Sequence, residues 1–184
     1  MSEPAESADA PANPDPNEIA SRIGELYAAC VQAGNAGANW FFWIAALSLV
    51  NTAMAHGGGD RHFIIGLSIT AIVDGIAQEI GKQQPQAASL AMGIAIGFSI
   101  CTAVVVVLVG WLSRKRLLWV FGIGMGLYLL DGLAYLAFGD FLSAGFHAYA
   151  LFSMSRGFNA YRQMTKLETA LEAEPASVAA DDDE

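Results

Sequence analysis

Residues 87–112 run for 26 consecutive positions without a charged side chain. A helix needs about 20 residues to cross a hydrocarbon core about 30 Å thick, so this run has the length of a membrane span. Four more apolar segments accompany it, at 40–56, 63–80, 117–138 and 141–155. The run at 117–138 is also long enough to cross, whereas 40–56 and 63–80 are slightly short. The fifth is the weakest, because Phe141, Leu142, Phe146, Leu151, Phe152 and Met154 must outweigh His147, Gly145 and the serines at 143, 153 and 155. At roughly −0.3 to −0.6 kcal/mol per good apolar residue, its insertion alone is marginal, so it spans with help from the bundle or re-enters from one side.

Charge sharpens this reading. Only 15% of the 184 residues are charged, against about 25% in soluble domains, so the chain lacks the polar surface to cover itself. Residues 1–39 hold six acids and one base, residues 157–184 seven acids and two bases, and the middle five acids and six bases. These figures exclude a soluble enzyme, a nucleic-acid binder and a disulfide-stapled secreted domain. Cys30 and Cys101 form no metal spacing and no disulfide framework. The first 18 residues have neither a basic nor an apolar signal-peptide region, so insertion is expected through the first apolar segment. The Ala-, Pro- and acid-rich ends, 1–14 and 174–184, are expected to be disordered acidic tails.

Between the first tail and the first span, the sequence predicts an amphipathic helix over 15–33. Asp15 can cap it, Pro16 suits its first position, Glu18 stands three residues after the cap, and Ile19, Ile23, Leu26, Tyr27, Cys30 and Val31 form an apolar stripe. Gly34, Asn35, Ala36 and Gly37 are expected to break it. A cytoplasmic helical extension is expected at 157–173, where Phe158, Tyr161, Thr165 and Leu171 roughly share a face. Arg114, Lys115 and Arg116 form the only basic cluster and belong in the cytoplasm. Five spans then put the N-terminus outside and the C-terminus inside. Trp40 and Trp43 would mark the outer interface, Trp111 and Trp119 the inner one. A faint duplication, IVDGIA at 72–77 against LLDGLA at 129–134, suggests two related hairpins.

The chemistry worth weighing lies in those two strings. Asp74 and Asp131 fall near the bilayer midplane, where a carboxylate costs about 2.5 to 3.5 kcal/mol on insertion scales and faces the bundle interior. Thr70 and Gln78 extend the Asp74 stripe, and Tyr128 and Tyr135 flank Asp131 on its own face. One reading is a proton or cation relay between two carboxyls that includes His147. The other makes each acid a hydrogen-bonded strut, tied to Tyr, Thr or Asn51 across helices. A third, competing reading is a membrane-embedded metal-dependent hydrolase in which His147 and Asp74 or Asp131 hold the metal. The chain has no HExxH, GxSxG or Gly-x-Gly-Asp sequence, and Gly57–Gly59 reads as a turn. Gly93 with Gly97, and Gly122 with Gly126, form small-residue faces suited to close helix packing within the chain, between copies, or with a partner membrane protein.

The expected fold class is an all-α integral membrane bundle of about five transmembrane helices with an N-terminal amphipathic helix. Its partner is the lipid bilayer, with no nucleic acid and no cofactor expected. The strings WFFWIAALSLVN, GLSITAIVDG, GLYLLDG and GFHAYAL, across residues 40–158, resemble a group of small multi-pass bacterial inner-membrane proteins without assigned function. That resemblance implies an inner (plasma) membrane location and carries over no activity and no site.

Overall fold

The computed structural model describes residues 15–56 and 66–181, with side chains up to residue 172. Asp15 starts the first helix as its sequence suggests: its Oδ1 accepts the Asn17 N–H at 2.9 Å, and Glu18 pairs with Arg22 at 2.7 Å. From there α1 runs over Pro16–His56, α2 over Ser68–Gln83, α3 over Ala88–Arg114, α4 over Leu118–Ala137 and α5 over Phe141–Asp181. A single 3-10 turn, Pro85–Ala87, joins α2 to α3. The described residues are all helix and turn.

Among the described residues, three stretches are long and apolar enough to cross a membrane: α1, Pro85–Arg114 with α3, and α4. Their surface has the polarity a membrane demands. On α3 the outward residues include Leu90, Ile94, Val104, Val105 and Leu108, all more than half exposed, while its buried residues are Ala95, Ser99, Ala103, Gly110 and Ser113. Large apolar side chains outside and small or hydroxylated ones inside invert the order of a water-soluble protein.

Two expectations are corrected by α1 and α5. The run Gly34 to Gly37 does not end a helix; α1 continues through it for 41 residues. Glycine there serves close packing: a Cβ on Gly34 would collide with the Tyr161 ring, and one on Gly37 would lie 2.8 Å from Gly157 Cα. The segments 141–155 and 157–173 are likewise one helix, whose backbone stays helical to Asp181, beyond the boundary expected at 173.

The register fixes helix directions. Phe41 lies against Gly110 and Gly124, and Thr52 bonds Ser99, so α1 and α3 are antiparallel. Phe121 meets Phe158 and Gly132 meets His147, so α4 and α5 are antiparallel. On α1 and α5, Tyr27 bonds Glu168, Asn35 bonds Tyr161, and Trp40 packs on Tyr149. These two are also antiparallel, so the polar halves of both project from one end of the bundle, beside Arg116, which bonds Glu168 at 3.1 Å. Opposite ends for the two extensions, the consequence of five alternating spans, is not what the helices do.

The odd helix is α2. Leu67 N–H donates to Ser48 Oγ, Thr52 and His56 reach Asp74, and Gln78 reaches the Ala55 carbonyl, so α2 runs parallel to α1 and starts at the depth of Ser48. Its 16 residues rise only about 24 Å. A parallel α1 and α2 beside an antiparallel α3 and α4 also removes the expected pair of duplicated hairpins. The small-residue faces are redistributed as well: Gly93, Gly97 and Gly126 meet open space, and Gly122 only touches Phe158 at 3.8 Å. Gly110, Gly124 and Gly132 carry the close packing in their place.

Candidate functional site

Because α2 begins inside the bundle, its first backbone N–H groups need partners there. Asp131 on α4 supplies them. Its Oδ2 accepts from Ser68 N at 2.9 Å, and its Oδ1 accepts from Ser68 Oγ at 2.6 Å and Ile69 N at 3.2 Å. The carboxylate thus sits on the positive end of the α2 dipole and caps a helix to which it does not belong.

His147 on α5 completes this centre. Its Nδ1 is 2.8 Å from the Ser143 carbonyl oxygen, and its Nε2 is 3.0 Å from Asp131 Oδ2. A carbonyl only accepts, so Nδ1 carries a hydrogen. Nε2 and Oδ2 can then bond only if one further proton lies between them. Held by the imidazole it makes an ion pair, held by the carboxyl a neutral pair; the net charge is zero either way. The His147 side chain is 1% exposed and that of Asp131 9%. Tyr128 stacks on the imidazole with ring centroids 4.3 Å apart, and Tyr135 stands 5.3 Å away. The Tyr128, Asp131, Tyr135 stripe of the sequence therefore converges on His147.

Asp74 is the centre of a second pair. Its Oδ2 accepts from Thr52 Oγ1 at 2.8 Å, and its Oδ1 lies 3.0 Å from His56 Nε2. Thr52 Oγ1 is also 3.0 Å from Ser99 Oγ, and since Thr52 has one hydrogen, Ser99 donates in that contact. His56 Nδ1 is buried with no hydrogen-bond partner among the described residues. A hydrogen on Nε2 and a bare Nδ1 is the form that fits, because a buried N–H without an acceptor costs more than an idle lone pair. This pair needs no shared proton, which distinguishes it from Asp131 and His147.

The remaining candidates are partly drawn in. Thr70 turns its hydroxyl to the Leu67 carbonyl at 2.9 Å, holding the first turn of α2. Asn51 is buried beside Gly66, where an added Cβ would stand 3.3 Å from it. The two acids do not share one cavity: Asp131 bonds at Ser68, and Asp74 is six residues along α2, about 9 Å by helix rise. His62 and the turn Gly57–Gly59 lie outside the described residues. Among the described residues no three His, Cys, Asp or Glu side chains converge as a metal set.

Asp140, two turns before His147, is a cap. Its Oδ2 accepts from Ser143 Oγ at 2.6 Å and its Oδ1 from Ser143 N at 3.1 Å. These bonds hold its carboxyl below the usual carboxylate range. A lowered folded value means the contribution is complete at neutral pH and fades as pH falls through that value. Asp140→Ala is expected to cost about 1 kcal/mol at pH 7 and clearly less at pH 3. Parallel thermal melts of wild type and variant at both pH values check this; an equal gap at both would refute a carboxylate cap.

The sequence flagged both acids and His147 but missed which histidine serves which acid. A usable signal existed, since His56 precedes Asp74 by 18 residues and His147 follows Asp131 by 16, each a single helix connection away. Comparison with models of known families, with curated proteins and with solved structures gives no match.

Proposed function

We propose that this chain is a non-enzymatic integral membrane protein, a small proton-coupled transport subunit of the bacterial inner membrane, in which the Asp131 and His147 pair takes up and releases the transported proton. The observation that carries the reading is the Nδ1 contact to the Ser143 carbonyl. It commits one imidazole nitrogen and leaves the other bound to a carboxylate through a proton that either can hold. Such a pair, buried at the start of a helix that begins inside the bundle, resembles the discontinuous-helix sites of transporters. The inner-membrane location rests on the sequence resemblance alone. In this reading the α3–α4 turn is cytoplasmic. Arg22, Arg114, Lys115, Arg116, Arg156, Arg162 and Lys166, seven of the nine bases, stand at that end, which puts both polar helix extensions inside as well.

The hydrolase reading is weaker, since both aspartates are already engaged and the described residues offer no third metal ligand. A scaffold with structural acids is what remains if protons do not move. Liposomes loaded with a pH dye and given a proton gradient separate the two. Wild type is expected to collapse the gradient faster than empty liposomes, and Asp131→Asn to lose at least nine-tenths of that excess rate. Traces identical to empty liposomes, with a range of cations present, would leave the scaffold.

A further inference from the structure

His56 and Asp74 differ from Asp131 and His147 in their proton count. His56 Nε2 donates to Asp74 Oδ1 and Thr52 Oγ1 donates to Asp74 Oδ2, so both carboxyl oxygens accept, as those of a carboxylate do. The imidazole is then neutral and the pair carries one negative charge, whereas Asp131 and His147 share a proton and sum to zero. The His56 and Asp74 side chains are 7% and 3% exposed.

Among the described residues no cation balances that charge. On α2 itself, Glu79 and Lys82 are exposed and pair with each other at 3.8 Å. Of the elements packed against α2, α1 keeps its other ionisable groups between residues 18 and 30, at its far end. Helix α3 has Arg114 at its far end and Cys101 exposed. On α4, Asp131 is engaged at Ser68, and Tyr128 and Tyr135 lie against His147. The 3-10 turn has no ionisable residue.

A buried charge without a counter-charge favours taking up a cation. One atom is placed to receive it. The lone pair of His56 Nδ1 is idle, since that buried atom has no hydrogen-bond partner among the described residues. His56 is also the last residue of α1, at the negative end of the helix dipole, where a positive imidazole is favoured. Gln78 holds that last turn against α2 through the Ala55 carbonyl, 3.2 Å away. A hard metal ion would require several oxygen ligands, but a proton requires one lone pair.

We infer that His56 and Asp74 form a second proton-binding site, loaded at His56 Nδ1. The incoming proton bonds to Nδ1 and turns the imidazole into an imidazolium beside the Asp74 carboxylate. If the Nε2 hydrogen then crosses to Asp74 Oδ1, 3.0 Å away, His56 is neutral with its hydrogen on Nδ1 and Asp74 is a neutral acid. Both distributions hold one proton more than before, and the charge of the pair goes to zero. Because α2 runs parallel to α1, Asp74 stands farther from the basic end of the bundle than Ser68 and its partner Asp131. A place for this site on a transport path, as the station on the side away from that end, rests on the proton-transport reading above; the binding of the proton does not.

Nitrogen NMR of the full-length protein in nanodiscs, with ¹⁵N-labelled histidine, tests this atom by atom. Single substitutions of His56, His62 and His147 by glutamine assign the signals. Between about pH 8 and about pH 5, on either side of the ordinary histidine range, His56 Nδ1 is expected to pass from bare to hydrogen-bearing. His147 Nδ1 should carry its hydrogen at both. Asp74→Asn keeps an acceptor for Nε2 but removes the charge, so the His56 response should be lost, with melting showing that the variant folds. Asp131→Asn should leave the response intact. The site is refuted if His56 Nδ1 is bare at both pH values or carries hydrogen at both, or if Asp74→Asn responds as wild type does. Loss of the response in Asp131→Asn would make the two pairs one site and refute a second. The liposome assay stays separate: a His56 response in protein that passes no protons supports this site and removes the transport reading, while proton flux with a silent His56 removes this site alone.

Discussion

Asp131→Ala is expected to destabilise the protein by at least about 3 kcal/mol, the scale for removing one partner of a buried charged pair. On a chain of this size that is a fall in melting temperature of roughly 6 to 12 °C. The change removes an acceptor from Ser68 N, Ser68 Oγ, Ile69 N and His147 Nε2 together. None of the four has water to fall back on if the site stays dry, and α2 loses the cap at its start. Asparagine should act differently. Its Oδ1 can still accept from Ser68 Oγ and Ile69 N, and its amide can donate to a bare His147 Nε2, because the Nδ1 hydrogen is fixed on Ser143. One bond, from Ser68 N, is lost. Asp131→Asn should therefore melt within about 1.5 kcal/mol of wild type, one ordinary hydrogen bond, while lacking the exchangeable proton. Thermal melts in detergent, followed by circular dichroism, separate the two variants. Equal losses for alanine and asparagine would mean that the charge itself, rather than the set of acceptors, holds α2 in place.

The same pair shows how far the sequence could be read. A carboxylate is so costly in an apolar run that Asp74 and Asp131 stand out with no structure at all, and the helical period assigns Tyr128 and Tyr135 to the face of Asp131. Which histidine each acid meets depends on helix directions, and those depend on α2 beginning at the depth of Ser48. Local sequence has no term for that: the apolar stretch 63–80 looks like any other short span. The glycine run at 34–37 misled for a related reason. In a soluble helix such a run lowers helix propensity and reads as a stop, whereas between packed helices the missing Cβ is what admits a neighbour. Both errors are long-range effects overriding a local signal. The helix start at Asp15 and Pro16, which depends only on its own turn, was legible to the residue.

Gly157→Leu is expected to be as damaging as Asp131→Ala, through packing alone. A Cβ at 157 would lie 2.7 Å from Gly37 Cα and 3.0 Å from both Gly37 N and the Ala33 carbonyl oxygen. These are backbone atoms of α1, which no rotamer change can move aside, so α1 and α5 must separate. Overpacking a tight contact typically costs 1 to 3 kcal/mol, sometimes more, and here the separation also withdraws Tyr161 from its seat against Gly34 and from Asn35 Oδ1, 2.9 Å away. A total of at least about 3 kcal/mol follows. Gly97→Ala and Gly126→Ala are the matched controls, because nothing lies within 4 Å of a Cβ at either position. Alanine is up to about 1 kcal/mol better than glycine inside a helix, so both should melt at or slightly above the wild-type temperature. If Gly157→Leu melts with the controls, α1 and α5 do not cross at Gly37 and Gly157. The antiparallel arrangement that puts both polar extensions at the basic end of the bundle would then lose its closest contact.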